Sequence, residues 1–312
     1  LMRLNKKTMK HQWEAEQTIE PSVALRLIQE QFPELGAEKI RLLGVGWDNS
    51  AFIVNEIYIF RFPRREIALP LLEAESCALP KLAAHLPVPI PFPEWKGAPS
   101  ELFPWPFTGY RMLLGLSACH ANLLEEQRAH LAEPIARFLK DLHAIPPAEL
   151  ARCHFFGDNR ARIDWAVITQ RIAKTFQQLD ELGLPEQKTE IEALVANLQN
   201  LRPPSKSTVV HGDFYVRHLL LDEKLRLAGV IDWGDVHLGD PAIDLAIGHS
   251  FLPKSAHAAF KKAYGEISDA TWDLARLRAI YSSSMLALFG HHSGDAVLKR
   301  EGLRALKVIV GE

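Results

Sequence analysis

The spacing of hydrophobic positions changes along the chain, and the predicted element changes with it. In PSVALRLIQEQF, residues 21–32, Val23, Leu27 and Ile28 fall on one side of a helical spiral and Pro21 suits its first turn. KIRLLGVG, SAFIV and IYIFRF then follow as short runs rich in β-branched and aromatic residues, parted by GWDN and NE, which predicts adjacent antiparallel strands. Residues 66–84 read as helical, with Pro70 and Pro80 limiting the span. The proline-rich LPVPIPFPEWKGAP can form neither a helix nor a central strand and reads as a surface connector. FTGYRMLL, residues 107–114, returns to strand character.

Beyond about residue 114 the helical period takes over. Leu131, Ile135, Phe138, Leu139 and Leu142 share one face; Ile168, Ile172, Phe176 and Leu179 share another, and Ile191, Leu194, Val195 and Leu198 a third, with GLPEQK interrupting the last two. Strand signals reappear only at STVV, LLL and RLAGVI. The tail is helical again, with Leu274, Leu277, Tyr281, Met285 and Leu288 in step after a Ser268–Asp269 start signal. A strand-rich lobe over residues 1–112, with its N-terminal helix, and a larger helical lobe over 113–312 are therefore expected.

Composition narrows this picture mostly by exclusion. The 312 residues are 47% hydrophobic and 24% charged, ordinary for a globular chain large enough for two lobes. A formal net charge of −2 gives no reason to expect nucleic acid or an anionic membrane as a partner. No apolar run reaches membrane-spanning length and the polar start lacks a signal-peptide core, so a reducing cytoplasm is the expected compartment. Cys77, Cys119 and Cys153 lie far apart with no CxxC pair, suggesting neither a disulfide framework nor a zinc site.

The chemistry concentrates in VVHGDFYVRHLLLD, residues 209–222, and in the run that follows. Asp213 comes after the strand STVV and Asp232 after the strand LAGVI, each where backbone pairing stops. If those strands pair, the two carboxylates emerge on one edge within several ångströms, where two negative charges need a cation. A hard divalent ion such as Mg²⁺ suits carboxylate and phosphate oxygens. That arrangement fits phosphoryl transfer, one carboxylate taking the acceptor's hydroxyl proton and the other holding the metal on the nucleotide phosphates. Taken singly, each Asp is also an ordinary turn residue.

The linked blocks decide between these readings. His211-Gly212-Asp213, then Ile231-Asp232-Trp233, then Gly239-Asp240-Pro241 with Asp244, stand in the order of the pattern H-G-D-x-x-x-x-N, I-D-W/F, G-D-P-x-x-D. In this the chain resembles the aminoglycoside/macrolide phosphotransferase family, small-molecule kinases with a protein-kinase-like fold. The resemblance implies an α+β, bilobal protein-kinase-like fold, with a small N-terminal antiparallel-sheet lobe and a larger, mainly helical C-terminal lobe. It implies Asp213 as catalytic base and Asp232 as metal ligand, with Mg²⁺ and with ATP or GTP as phosphoryl donor. Asp240 and Asp244 are expected to hydrogen-bond backbone near the loop or to start a helix, His211 to brace the loop, and His143 to be a hydrogen-bonded packing residue. The family's Asn position holds His218, a softer ligand than an amide oxygen. It either binds the second metal with altered affinity, or hydrogen-bonds Asp213 or a phosphate, or marks lost activity; an active site with altered metal affinity is the expectation.

Upstream, LLGVGWDNSAFIV reads as a strand–turn–strand whose Gly44 and Gly46 let backbone N–H groups approach phosphates, although alone it is simply a hairpin turn. The family has a similar stretch, which implies Gly46, Trp47, Asn49 and Ser50 at the nucleotide. By the same resemblance Arg61 takes the place of the kinase lysine, paired to Glu75 with Glu73 as the fallback, and the backbone of Tyr110, Arg111 and Met112 reads the base edge.

The acceptor is expected to be a hydroxylated small molecule, an aminoglycoside or a macrolide among the candidates, but residues 251–312 carry more basic than acidic groups and give no bias toward a polycation. Asp158, Asp164, Asp180 and Glu181, or the aromatic Phe155, Phe156, Trp165, Trp272, Tyr281 and Phe289, are its candidate contacts. A housekeeping kinase for choline, homoserine or a sugar amine, and a nucleotide-binding pseudokinase, are the alternatives. The oligomeric state leaves no trace in the sequence.

Overall fold

The computed structural model describes residues 15–46, 48–153, 161–184, 187–198 and 207–311. Two compact units divide them: one runs to Ser76 and resumes over Pro91–Met112, and the other comprises Cys77–Ile90 and the chain from Leu113.

In the first unit, helix α1 (Pro21–Gln31) starts at a proline that lacks only an N–H no helix start would use, and buries Ala24, Leu27 and Ile28. Strands β1 (Ile40–Val45), β2 (Asn49–Val54) and β3 (Tyr58–Pro63) form an antiparallel meander, and helix α2 (Leu69–Leu82) follows, its residues from Cys77 onward belonging to the second unit. The β2–β3 turn holds Asn55 and Glu56 at positive φ. The Asn55 side chain offsets that cost, accepting from the N–H groups of Glu38 and Lys39 and donating to the Gly36 carbonyl. Strand β5 (Phe107–Arg111) pairs with β3, and β4 (Trp95–Gly97) closes the sheet in the order β1-β2-β3-β5-β4. The proline-rich connector therefore contains a strand after all, a three-residue one at the sheet edge, where the prolines before it remove no ladder hydrogen bond. Phe52, Phe60, Phe62, Phe103 and Phe107 pack beneath α1, and Gly109 is bare because a Cβ there would lie 2.3 Å from the Phe60 ring.

In the second unit, β6 (Leu116–Ser117) precedes four helices: α3 (Glu125–His130), α4 (Ala132–Ala144), α5 (Trp165–Glu181) and α6 (Lys188–Asn197). Then come β7 (Thr208–Val210), β8 (Leu219–Leu221), β9 (Leu227–Val230) and β10 (His237–Gly239). Short helices α7 (Ala242–Leu245), α8 (Ile247–Ser250) and α9 (His257–Tyr264) lead to the long α10 (Asp269–Ser293) and α11 (Ala296–Val310). The expected apolar stripes of α4 and α5 are buried, and Ser268 caps α10 by accepting the Thr271 N–H. One pairing differs from expectation. The strands that precede Asp213 and Asp232 do not pair with each other: β7 pairs with β10, and β9 with β8, because the short β10 takes the edge of β7.

The cysteine reading is corrected as well. Cys77 and Cys153 form a disulfide with Cα atoms 5.5 Å apart. Their 76-residue separation hid the pair; the fold brings the end of α2 to the turn after α4, where Lys81 also donates to the Glu149 carbonyl and His85 meets the Glu149 carboxylate. Cys119 is a buried free thiol whose pKa burial pushes up.

Candidate active site

The loop after β7 is shaped by groups buried around it. Gly212 sits at φ +84°, and a Cβ there would lie 2.2 Å from the Asp235 carbonyl oxygen, so conformation and space both demand glycine. Asp244, fully buried at the start of α7, accepts from the N–H of His211 (2.7 Å) and of Gly212 (2.9 Å), while His143 reaches the same carboxylate at 3.1 Å. Burial pushes the Asp244 pKa up, but the hydrogen bond and charge of His143 and the His211 backbone N–H outweigh it, and the carboxyl lies below its ordinary value. His143 is further anchored by the Tyr264 hydroxyl at 2.8 Å. His211 packs against Trp233 and its Nε2 lies 3.1 Å from the Ile231 carbonyl, while its Nδ1 accepts the Asp213 N–H at 3.3 Å. Burial lowers its pKa to about 4, so it braces the loop as a neutral ring. Asp240 accepts the Ala242 N–H and starts the helix that carries Asp244.

Two carboxylates then meet one imidazole. After Asp213 the chain makes a 3₁₀ turn, Val216–His218, whose last residue turns back: His218 Nδ1 donates to the Asp213 carbonyl at 2.8 Å and lies 3.8 Å from Asp213 Oδ2. On the other side of the ring, Nε2 lies 3.3 Å from Asp232 Oδ2. Asp232 holds φ +64°, a left-handed conformation costly for a residue with a Cβ, and the Ile231 N–H bond to the His218 carbonyl helps to impose it. The side chains of Asp213 and Asp232 are 42% and 53% exposed, so both reach solvent from a loop that is otherwise packed. Desolvation nonetheless raises the Asp213 pKa; His218 opposes the shift, the charges of Asp235 and Asp232 add to it, and Arg278 opposes it. The Asp213–Asp232 convergence is as expected, but the 3₁₀ turn and His218 produce it rather than pairing of their strands.

This cluster suits a divalent cation. A carbonyl can only accept, so His218 Nδ1 carries a proton, and Nε2 is the ring nitrogen that faces the Asp232 carboxylate. Nε2 and the Asp232 carboxylate are the donor atoms that a divalent ion would share there. Asp232 and His218 are the residues that would hold it.

The first unit arranges the other candidates. Arg61 Nη1 meets Glu75 Oε1 at 2.7 Å with both side chains nearly buried, which selects Glu75 over Glu73. In the β1–β2 turn the Gly46 N–H donates to the Asn49 carbonyl and is committed to closing the hairpin. Ser50 is buried, and the buried Asn49 Oδ1 accepts no hydrogen bond from a described residue. Trp47 lies outside the described residues. On β5 the expectation is revised by strand alternation. The Met112 N–H donates to the Ile57 carbonyl and Tyr110 shares that orientation toward β3, whereas Arg111 turns its main chain to the side where β4 has ended.

Around the acceptor candidates, Asp164 caps α5 through the Val167 N–H and Asp180 pairs with Lys188, so both have local roles. Phe155, Phe156 and Asp158 lie outside the described residues. Trp272 is buried beneath Lys261, and Phe289 is exposed. The sequence reading missed Asp235, which pairs with the buried Arg162 at 2.9 Å and whose charge acts on Asp213. Its place three residues after Asp232, at the end of the I-D-W block, was the available signal.

A pleated antiparallel sheet carrying an Arg–Glu pair, and a helical unit carrying a braced His-Gly-Asp loop with a second aspartate, define a protein-kinase-like phosphotransferase. The comparisons agree. The family model described as "Phosphotransferase enzyme family" matches residues 39–280, and the chain belongs to that family. An aminoglycoside 3'-phosphotransferase of Streptomyces fradiae is 30% identical over 144 residues, covering 46% of this chain and 52% of that protein. The GDP complex of an aminoglycoside 2'-phosphotransferase superposes with a TM-score of 0.71 at 23% identity, covering 94% of this chain and 99% of that one. A macrolide 2'-phosphotransferase from Brachybacterium faecium gives 0.61 at 21% identity, with 91% and 98% covered. This protein is thus an enzyme of the phosphotransferase family with a kinase-like fold. No helix among the described residues is long and apolar enough to cross a membrane.

Proposed function

We propose that the protein transfers the γ-phosphoryl group of ATP or GTP to a hydroxyl of a small molecule, with Asp213 as general base. The observation that carries this reading is the convergence of Asp213 and Asp232 on the His218 ring, on a loop held by Asp244. The acceptor O–H gives its proton to the Asp213 carboxylate as its oxygen bonds to the γ-phosphorus. The bond from that phosphorus to the β–γ bridging oxygen breaks, and the nucleoside diphosphate leaves with the electron pair. A raised pKa makes Asp213 a stronger base than an ordinary carboxylate. Asp232 and His218 would hold the Mg²⁺ that neutralises charge on the phosphate oxygens. Arg61, oriented by Glu75, would contact the phosphates with a fork that a lysine could not offer, and Asn49 and Ser50 would line the phosphate turn.

For the acceptor, aminoglycosides and macrolides are the first classes to test, in view of the relatives. A metabolite with fewer positive charges is the second reading. It is favoured by Arg278, whose cation acts on Asp213, since a polycation approaching Asp213 would meet it. The cytoplasm, which supplies ATP and GTP, is the compartment in which this enzyme would act, where a reducing environment would hold Cys77 and Cys153 as thiols rather than as the disulfide of the structure.

Steady-state release of nucleoside diphosphate, measured with ATP and with GTP across aminoglycosides, macrolides, choline, homoserine and amino sugars, tests the reading. Acceptor-stimulated turnover that vanishes in Asp213→Asn is expected. Tight nucleotide binding with no stimulation by any acceptor would instead indicate a binding module.

A further inference from the structure

A turn that receives phosphate must keep its own oxygens engaged, and the β1–β2 turn carries a carboxylate, Asp48, besides its carbonyls. The residues just past β3 engage them. Arg64 Nη1 donates to the Gly46 carbonyl at 2.6 Å, and the Arg64 N–H donates to the Asp48 carbonyl at 2.8 Å. Arg65 bonds Asp48 Oδ1 through Nε, at 3.1 Å, and through Nη2 as well. The Arg65 and Asp48 side chains are 16% and 24% exposed, so solvent screens the pair only in part. The N-terminal segment fixes this corner in turn. The Arg64 carbonyl accepts the N–H groups of Glu16 at 2.8 Å and Gln17 at 3.0 Å, and the Glu16 carboxylate accepts the Glu66 N–H at 3.2 Å. On charge alone a carboxylate is misplaced beside a triphosphate, and the Arg65 guanidinium is the group that cancels it.

We infer that Arg65 is a positioning residue for the donor nucleotide: by neutralising Asp48 and holding its carboxylate, it makes an acid-bearing turn one that admits phosphate charge. Arg65 acts through Asp48 and not by touching the phosphates. With Arg65 lost, the turn keeps a bare negative charge where the triphosphate arrives, and like charges repel. With both side chains made neutral, the turn is electrically as it was. The inference rests on the place proposed for this turn at the nucleotide, and adds to it how the turn's charge is set.

The test is nucleotide binding by the intact chain, not turnover. Isothermal titration gives the affinity for non-hydrolysable ATP and GTP analogues, and for adenosine and guanosine. The proteins compared are the parent, Arg65→Gln, Arg65→Lys, Asp48→Asn, the double variant Arg65→Gln with Asp48→Asn, and Asn49→Ala. Arg65→Gln is expected to weaken the triphosphate analogue about tenfold and to leave the nucleoside unchanged. Arg65→Lys, which keeps the charge, should retain most of the affinity. Asp48→Asn should bind the analogue at least as tightly as the parent, and the double variant should return to within about twofold of it. Arg65→Met replaces the glutamine variant should that one not fold. A double variant as weak as Arg65→Gln would make Arg65 a direct phosphate contact and overturn the inference. Equal losses in Asp48→Asn and Arg65→Gln, or a loss shared by the nucleoside, would make the pair a tie that shapes the turn, which overturns it too. Unchanged affinity in Arg65→Gln, with Asn49→Ala weakened, removes the inference and leaves the turn at the nucleotide. Unchanged affinity in both removes the turn from the site and the inference with it.

Discussion

The loop over residues 211–218 and the turn over residues 44–50 are both short, polar and sequence-marked, yet they are built on opposite principles. In the loop nearly every polar group is spoken for. Asp244 takes two backbone N–H groups, His211 takes a third and reaches the Ile231 carbonyl, and His218 bonds back to Asp213. In the turn the Gly46 N–H closes the hairpin, Arg64 bonds the Gly46 and Asp48 carbonyls and Arg65 pairs with Asp48, but a buried acceptor on Asn49 has no hydrogen bond from any described residue. Chemistry on a proton or a metal needs groups fixed before substrate arrives, and preorganisation of that kind is built from buried partners. Holding a ligand needs the reverse, polar groups whose partner is the ligand. The contrast implies that substitutions in the loop act on catalysis and stability, and that those in the turn act on nucleotide affinity alone.

The largest effect should come from Asp213→Asn, with turnover falling about 10³-fold while nucleotide affinity stays at the parent's value. Its stability should move the other way. A carboxyl whose folded pKa is raised favours the protonated form in the fold, so its contribution is lost as pH rises past the ordinary carboxylate value. Removing the charge should therefore leave Tm at pH 7 unchanged or higher, measured by thermal unfolding. Asp244→Ala should do the opposite, costing about 3 kcal/mol because two buried backbone N–H groups lose their acceptor. The folded Asp244 pKa lies below its ordinary value, so this stabilisation is present above that value and disappears on acidification. The parent should lose stability toward low pH more steeply than the alanine variant, as chemical denaturation across pH would record.

What could be read without coordinates follows the same division. The helices α1, α4 and α5 were legible because burial of one face writes a period into the sequence, and strands β2, β3 and β5 because they bury short apolar and aromatic runs; β1, with Leu42, Leu43 and Val45 exposed, was legible from its apolar composition alone. Strands β6, β10 and β4 were not, since they are two or three residues long and, unlike the equally short β7 and β8, have no unbroken apolar run to mark them. Asp213, Asp232 and the Arg61–Glu75 pair were legible from linked motifs and helix spacing. The joining of His143 to Asp244, the Arg162–Asp235 pair and the Cys77–Cys153 bond were not, because each links segments far apart in the chain by side chains with no periodic signature. The buried pair Arg128–Glu301 belongs with these: its charges lie 173 residues apart, and only the packing of the second unit brings them together.

Arg61 sharpens the comparison from the turn's side, because it is both buried and expected to meet phosphate. Arg61→Met alone should cost about 2 kcal/mol, leaving the buried Glu75 carboxylate uncompensated, and Arg61→Met with Glu75→Leu should recover most of that loss. Nucleotide KM should rise in both and recover in neither. Recovery of KM along with stability would make the pair a packing device. Asn49→Ala should be nearly silent in the unliganded protein, since an unpartnered buried acceptor costs rather than contributes stability. It should weaken nucleotide binding about fivefold by isothermal titration, equivalent to one lost hydrogen bond. Equal nucleotide affinity in the variant would remove the turn from the site.

The smallest effect is the most specific to the loop. Asp235 lies behind Gly212, is paired to Arg162, and through its negative charge helps hold the Asp213 pKa above the ordinary value. The acid limb of the rate profile reports ionisation of the base, so it should lie above the ordinary carboxylate range in the parent. Asp235→Asn removes a like charge, which favours ionised Asp213. The limb should move to lower pH, with the plateau rate reduced because a weaker base takes the acceptor's proton. A control at the far pair, Glu301→Gln, should leave the limb where it is, since that carboxylate contributes nothing resolved to Asp213. If Asp235→Asn leaves the limb in place, or moves it to higher pH, the limb does not belong to Asp213 and the loop's preorganisation serves something other than proton transfer.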